Sequence, residues 1–115
     1  MALQTVQQIT LAGLGLVTPP PYVACAAGGD TFVNDGRCFV IIRNAAGIAI
    51  RTVTIASQVT CKWGEVHDET VAVPVGASEV MFGPFPINRW NNGSNIVSLT
   101  YSSEADIEIA VFRLP

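Results

Sequence analysis

The stretch Val97–Leu114 reads VSLTYSSEADIEIAVFRL, and two runs within it decide the fold. Val97, Leu99 and Tyr101 alternate with Ser98 and Thr100, while Ile107, Ile109 and Val111 alternate with Asp106, Glu108 and Ala110. Successive side chains of a strand point to opposite faces, so period two buries one set and leaves the other, here with Asp106 and Glu108, toward solvent. The same alternation recurs upstream, at Val53 and Ile55 among threonines and at Val71 and Val73 beside Thr70 and Ala72. Cys38–Ile42 is a continuous apolar run rich in β-branched residues, as expected of a central strand covered on both faces. No window longer than a turn or two places apolar residues at helical spacing.

Turn chemistry separates these runs. Asn34-Asp35-Gly36, Asn44–Gly47, Pro74-Val75-Gly76, Gly83-Pro84 with Pro86, and Asn91-Asn92-Gly93 supply positive φ, fixed φ or side-chain turn bonds. A strand every eight to twelve residues or so is the rhythm of a sandwich or small barrel. The prediction is an all-β chain forming a single β-sandwich, jelly-roll-like or Greek-key, of about seven to eight short antiparallel strands.

Residues 1–21 read differently. Leu3–Thr10 alternates with little apolar weight, and Thr18-Pro19-Pro20-Pro21 forms a stiff extended spacer that cannot donate ladder hydrogen bonds. We expect residues 1–21 to be an extended N-terminal arm or edge strand and residues 22–115 to close the sandwich. On this reading the arm serves attachment more than folding. Leu3, Val6 and Ile9 are its candidate contacts with other subunits, joined by Phe85 and Trp90 from the loop after Pro84.

The composition points to assembly. Of 115 residues, 50% are hydrophobic and only 13% charged, against roughly 25% charged in soluble domains. A chain with so few charges is expected to hide part of its surface against other subunits. The net charge is −3 and the six basic residues form no run, which argues against a nucleic-acid partner. Apolar stretches fall far short of a membrane helix, and Met1–Thr10 lacks the features of a signal peptide, so synthesis in the cytoplasm without membrane association is expected. Cys25, Cys38 and Cys61 are odd in number and form no C-x-x-C pair, which predicts three reduced thiols.

The search for chemistry starts at His67, the one histidine, in Gly64-Glu65-Val66-His67-Asp68-Glu69. Acid and base are both present, but no G-x-S-x-G elbow accompanies them, and a charged cluster between strands reads as a solvated loop. Cys61, His67, Asp68 and Glu69 could supply zinc ligands, although their spacing lacks the paired pattern of a structural site. Neither a calcium loop nor a phosphate-binding glycine loop is present, Gly28-Gly29 leading only into Asp30-Thr31-Phe32. Trp63, Trp90 and Tyr101 could stack on sugars beside Asn88, Asn91, Asn92 and Asn95. The favoured reading is that Trp90 anchors its loop to the core or to a neighbouring subunit. No enzyme, cofactor or metal is expected.

Four stretches carry a family resemblance: GGDTFVNDGRCFVIIRN at Gly28–Asn44, TVTIAS at Thr52–Ser57, VPVGASEVMFGPFPINRWN at Val73–Asn91, and the ending VSLTYSS with IEIAVFRL. In that order they resemble a group of small structural proteins of tailed-bacteriophage virions, of the capsid (head) decoration or cement type. The resemblance implies a β-sandwich on the capsid surface, commonly a homotrimer, that binds the major capsid protein and cements neighbouring shell subunits. Cys61–Glu69 departs from that pattern. Other readings are a tail, neck or fibre-associated virion subunit and a carbohydrate-binding module.

Overall fold

Alternation in the sequence becomes alternation in burial. In a computed structural model describing residues 2–13, 22–45, 49–76 and 78–115, Cys38, Val40 and Ile42 are buried while Phe39, Ile41 and Arg43 between them are half-buried. The described residues form ten strands and one short helix. These are β1 (Ala2–Leu3), β2 (Val6–Gln8), β3 (Val23–Ala24), β4 (Asp30–Val33), β5 (Cys38–Asn44), β6 (Arg51–Ile55), β7 (Glu69–Val73), β8 (Ser78–Phe82), α1 (Ile87–Trp90), β9 (Ile96–Tyr101) and β10 (Ile107–Arg113).

The chain is mostly β, as expected, but in two mixed sheets of five strands and not in seven or eight antiparallel strands. One sheet runs β1-β4-β9-β6-β7; the other runs β2-β10-β5-β8, with β3 also paired to β10. Two pairings are parallel, β1 with β4 and β2 with β10. The extra strands are two or three residues long, too short for periodicity to reveal. Phe32, Val53, Ile55, Val97 and Leu99 of the first sheet share one core cluster with Val40, Ile42, Ile107, Ile109 and Val111 of the second. β5 is central, as expected, yet its outer face is only half-covered; there Phe39 stacks on Phe112 with ring centroids 5.4 Å apart.

The chain repeatedly changes sheet. The Asn34-Asp35-Gly36 turn takes it from β4 to β5, its bonds running from the Gly36 amide to Asn34 Oδ1 and from the Arg37 amide to Asp35 Oδ1, both 3.0 Å. Gly29, just before β4, has φ +106°, and a Cβ there would collide with the Leu99 carbonyl oxygen. Only glycine lets β4 start this close to β9.

The opening residues belong to both sheets. Ala2–Leu3 pairs with β4 and Val6–Gln8 with β10, and the Ile9 amide donates to the Arg113 carbonyl at 2.9 Å. The hinge between these pairings is Gln4, whose Nε2 donates to Asp30 Oδ1 at 2.6 Å. Asp30 is fully buried, and its Oδ2 accepts from the Tyr101 hydroxyl at 2.6 Å and from the Ala26 amide at 3.2 Å. The Thr18–Pro21 spacer, and with it the 21/22 boundary, lies outside the described residues, as does Ala46-Gly47 of the expected turn.

Gln4→Ala should therefore cost about 1–3 kcal/mol, the penalty for leaving a buried acceptor short of a partner. Chemical denaturation checks this, and an unchanged midpoint would show the Gln4 bond to be dispensable. A second outcome concerns alkaline pH. Burial pushes the Cys25 thiol up to about 12, and burial followed by the bond to Asp30 raises the Tyr101 hydroxyl above its ordinary range. Both groups hold their protons in the fold at pH values where the unfolded chain releases them. The Cys25 contribution is complete below the thiol's ordinary 9.0 and is lost as the pH rises through about 12, while that of Tyr101 starts to fall only above the phenol's ordinary 10.0. Thermal melts taken across pH 8–11 should show a decline that Cys25→Ala makes shallower.

Candidate functional site

The five residues expected to contact other subunits divide sharply. Leu3 is 63% exposed, whereas Phe85 and Trp90 retain only 3% and 7% of their surface. Val6 packs against the core from the side, and Ile9 is half-buried. Phe85 and Trp90 therefore offer no docking face in this chain. Phe85 sits between Phe32 and Phe82, with ring centroids 5.5 and 6.1 Å away.

A buried asparagine holds this loop in place. Asn34 Nδ2 donates to the Phe85 carbonyl at 2.8 Å and to Asn91 Oδ1 at 2.7 Å, and Asn91 Nδ2 returns a bond to the Asn34 carbonyl at 2.8 Å. The loop must come to the core to satisfy Asn34, and it brings α1 and Trp90 with it. Trp90 thus anchors its loop to the core, one of the two roles expected for it. Trp63 is 79% exposed, while Tyr101 turns its hydroxyl to buried Asp30. The three rings proposed for sugar stacking do not form one exposed face.

Apolar surface gathers elsewhere, beside β8, the terminal strand of its sheet. A groove of about 440 Å³ is lined by Phe39, Met81, Phe82, Gly83, Pro84 and Leu114. Met81 and Leu114 are 65% and 43% exposed. The edge of a terminal strand presents backbone donors and acceptors, and here it adjoins apolar side chains. Nothing in the spacing of these residues marks them as a group; β8 and the chain end meet only through their separate positions in the second sheet.

A second concave region has polar character. The Thr60–Val66 segment closes on itself through a bridge between those two residues, the Cys61 amide donating to the Glu65 carbonyl at 2.7 Å and the Gly64 amide to the Cys61 carbonyl at 2.9 Å. Cys61 and His67 come together with Ser57, Val59, Thr60 and Arg89 around a cavity of about 290 Å³. The Trp63 amide points at Cys61 Sγ, 3.4 Å away. Amide bonds from Glu65 and Trp63, then the His67 imidazole, outweigh desolvation and hold the Cys61 thiol down at about 7. Asp68 instead accepts from the Ser57 amide at 2.9 Å, and Glu69 stands on β7 opposite Ile55. Among the described residues no group of three or more His, Cys, Asp or Glu side chains is placed to hold a metal ion. Cys25 and Cys38 are buried free thiols, and Cys61 is free and half-buried. No described helix is long and apolar enough to cross a membrane.

No protein-family model, curated protein or solved structure matches the chain.

The contrast between the two indoles has an optical consequence. Acrylamide should quench the fluorescence of Trp63 strongly and that of Trp90 weakly, so a two-component quenching curve is expected. Trp63→Phe should remove the quenchable component. A single strongly quenched population after that substitution would show Trp90 to be outside the core.

Proposed function

We propose that the chain is a non-enzymatic structural protein of a bacteriophage virion, a capsid decoration or cement protein. In this reading the two sheets form one β-sandwich, which binds the major capsid protein on the surface of the assembled head as a homotrimer. The observation that carries the proposal is the apolar groove of Phe39, Met81, Phe82, Pro84 and Leu114 beside terminal strand β8. On a chain with only 13% charged residues, such a surface is suited to burial against another subunit. The ordered stretches from Gly28 to Leu114 that resemble virion decoration proteins support the same reading.

Attachment is thereby assigned to a rigid face and not to a trailing arm. Leu3 sits at the margin of the other sheet, where β1 is the terminal strand. A preordered face loses little conformational entropy on docking, and linkage of three such faces in the proposed trimer lets a modest apolar area on each suffice.

The test is co-sedimentation of the purified chain with expanded, undecorated capsids. Full-length protein should pellet with the shells in saturable fashion. Met81→Asp, which places a charge in the groove, should weaken binding tenfold or more while leaving the melting midpoint within about 3 degrees, because exposed substitutions rarely exceed ±0.5 kcal/mol. Failure of the unaltered chain to bind any shell would overturn the assignment; unchanged binding by Met81→Asp would remove the groove from it.

A further inference from the structure

Three features of the Cys61 corner coincide without serving the β-sheet core. A nucleophilic side chain lines a cavity, the Trp63 amide is directed at its sulfur, and an imidazole and a guanidinium line the same space. The guanidinium is fixed from two sides. Arg89 Nη2 donates to the His67 carbonyl at 2.9 Å, and its carbon lies 4.3 Å from the centroid of the Trp90 ring. Because Trp90 is seated in the core, the positive charge is held at the cavity wall and does not sweep through solvent.

We propose that Cys61 is a thiol-exchange site for small disulfides that carry carboxylates. Its thiolate attacks one sulfur of the disulfide; the S–S bond breaks as the Cys61–S–S–R bond forms, and the departing half leaves as a thiolate. The proton released by Cys61 ends on that leaving thiol, Cys61 is oxidised and the leaving sulfur reduced, and no other oxidant is required. Carboxylates of the retained half pair with Arg89, whose planar fork suits them.

The surroundings separate this cysteine from the other two. The titratable groups of this corner are Lys62 and Glu65 within the loop, His67 and Asp68 directly after it, Asp68 being bonded to the Ser57 amide, and Arg89 from α1. With its thiol held at about 7, Cys61 is substantially thiolate at neutral pH. Burial pushes Cys25 up to about 12 and also raises Cys38, and both are shielded from a disulfide in solution.

Oxidised glutathione is the probe, applied to the folded full-length protein and followed by intact mass and peptide mapping. One adduct is expected, on Cys61, with a pH–rate midpoint near the value of about 7 that the corner imposes. His67→Ala should move that midpoint upward and slow the reaction at pH 7 severalfold. Cystamine, a cationic disulfide, should react more slowly than oxidised glutathione, and Arg89→Gln should abolish that preference. A midpoint at the ordinary thiol value of 9.0, or modification of Cys25 or Cys38 as fast as of Cys61, would overturn the site. Equal rates for the two disulfides in the unaltered protein would overturn the assignment of carboxylate-bearing partners.

Discussion

Asp30 is a carboxyl group with no solvent contact, in a chain that has few charges to spare. An unpartnered polar group at that depth costs several kcal/mol, and the fold supplies three partners, the local Ala26 amide and, from remote parts of the chain, the Gln4 side chain and the Tyr101 hydroxyl. That requirement fixes the approach of the chain's opening residues, the turn before β4 and the end of β9 in one step. Two asparagines act in the same way at other strand ends. Asn34 draws in the loop that carries Phe85 and Trp90, and Asn44 ties the end of β5 to the carbonyls of Ala49 and Val73. Hydrophobic burial closes the two sheets, but these polar groups select which segments lie where, since an apolar contact accepts many neighbours and a buried hydrogen bond accepts few.

Strands long enough to show period two were legible in the sequence. Thr52–Ile55, Val97–Tyr101 and Ile107–Val111 all lie within strands, because alternation encodes which side chains are buried. It does not encode which strand is the neighbour. Leu3–Ile9 looked too polar for a core strand, and the reason is now physical: each of its two short strands pairs with a partner 28 or 105 residues away, where backbone groups and two glutamines, Gln4 bonded to Asp30 and Gln8 to Arg113, add to the hold. Of the two readings of the chain start, arm or edge strand, β1 and β2 take the second form, each standing at the end of a sheet.

Amphipathic aromatics are ambiguous for a different reason. Trp90 and Phe85 have the chemistry of either a core or an interface, and only the demand of Asn34 for partners brings them inward. The residues that do remain outside, Met81 and Leu114, have no pattern of their own and meet because β8 and β10 flank β5. Cys61 and His67 are similar: six positions apart, they share a cavity through the closure of the Thr60–Val66 loop, and a spacing read without that closure signals nothing.

These constraints assign distinct tasks to distinct parts of the surface. The start of the chain supplies a terminal strand to each sheet, the loop around Trp90 completes the core, and the apolar edge beside β8 is the surface that the proposed function gives to another subunit. A cement protein must be present wherever its binding position repeats, so its abundance is tied to that of the shell. Under the proposed function a virion carries this chain, and quantitative mass spectrometry of such purified particles tests the account most directly. It predicts a copy number in fixed proportion to the major capsid protein; absence from the particle, or presence in only a few copies, would contradict it.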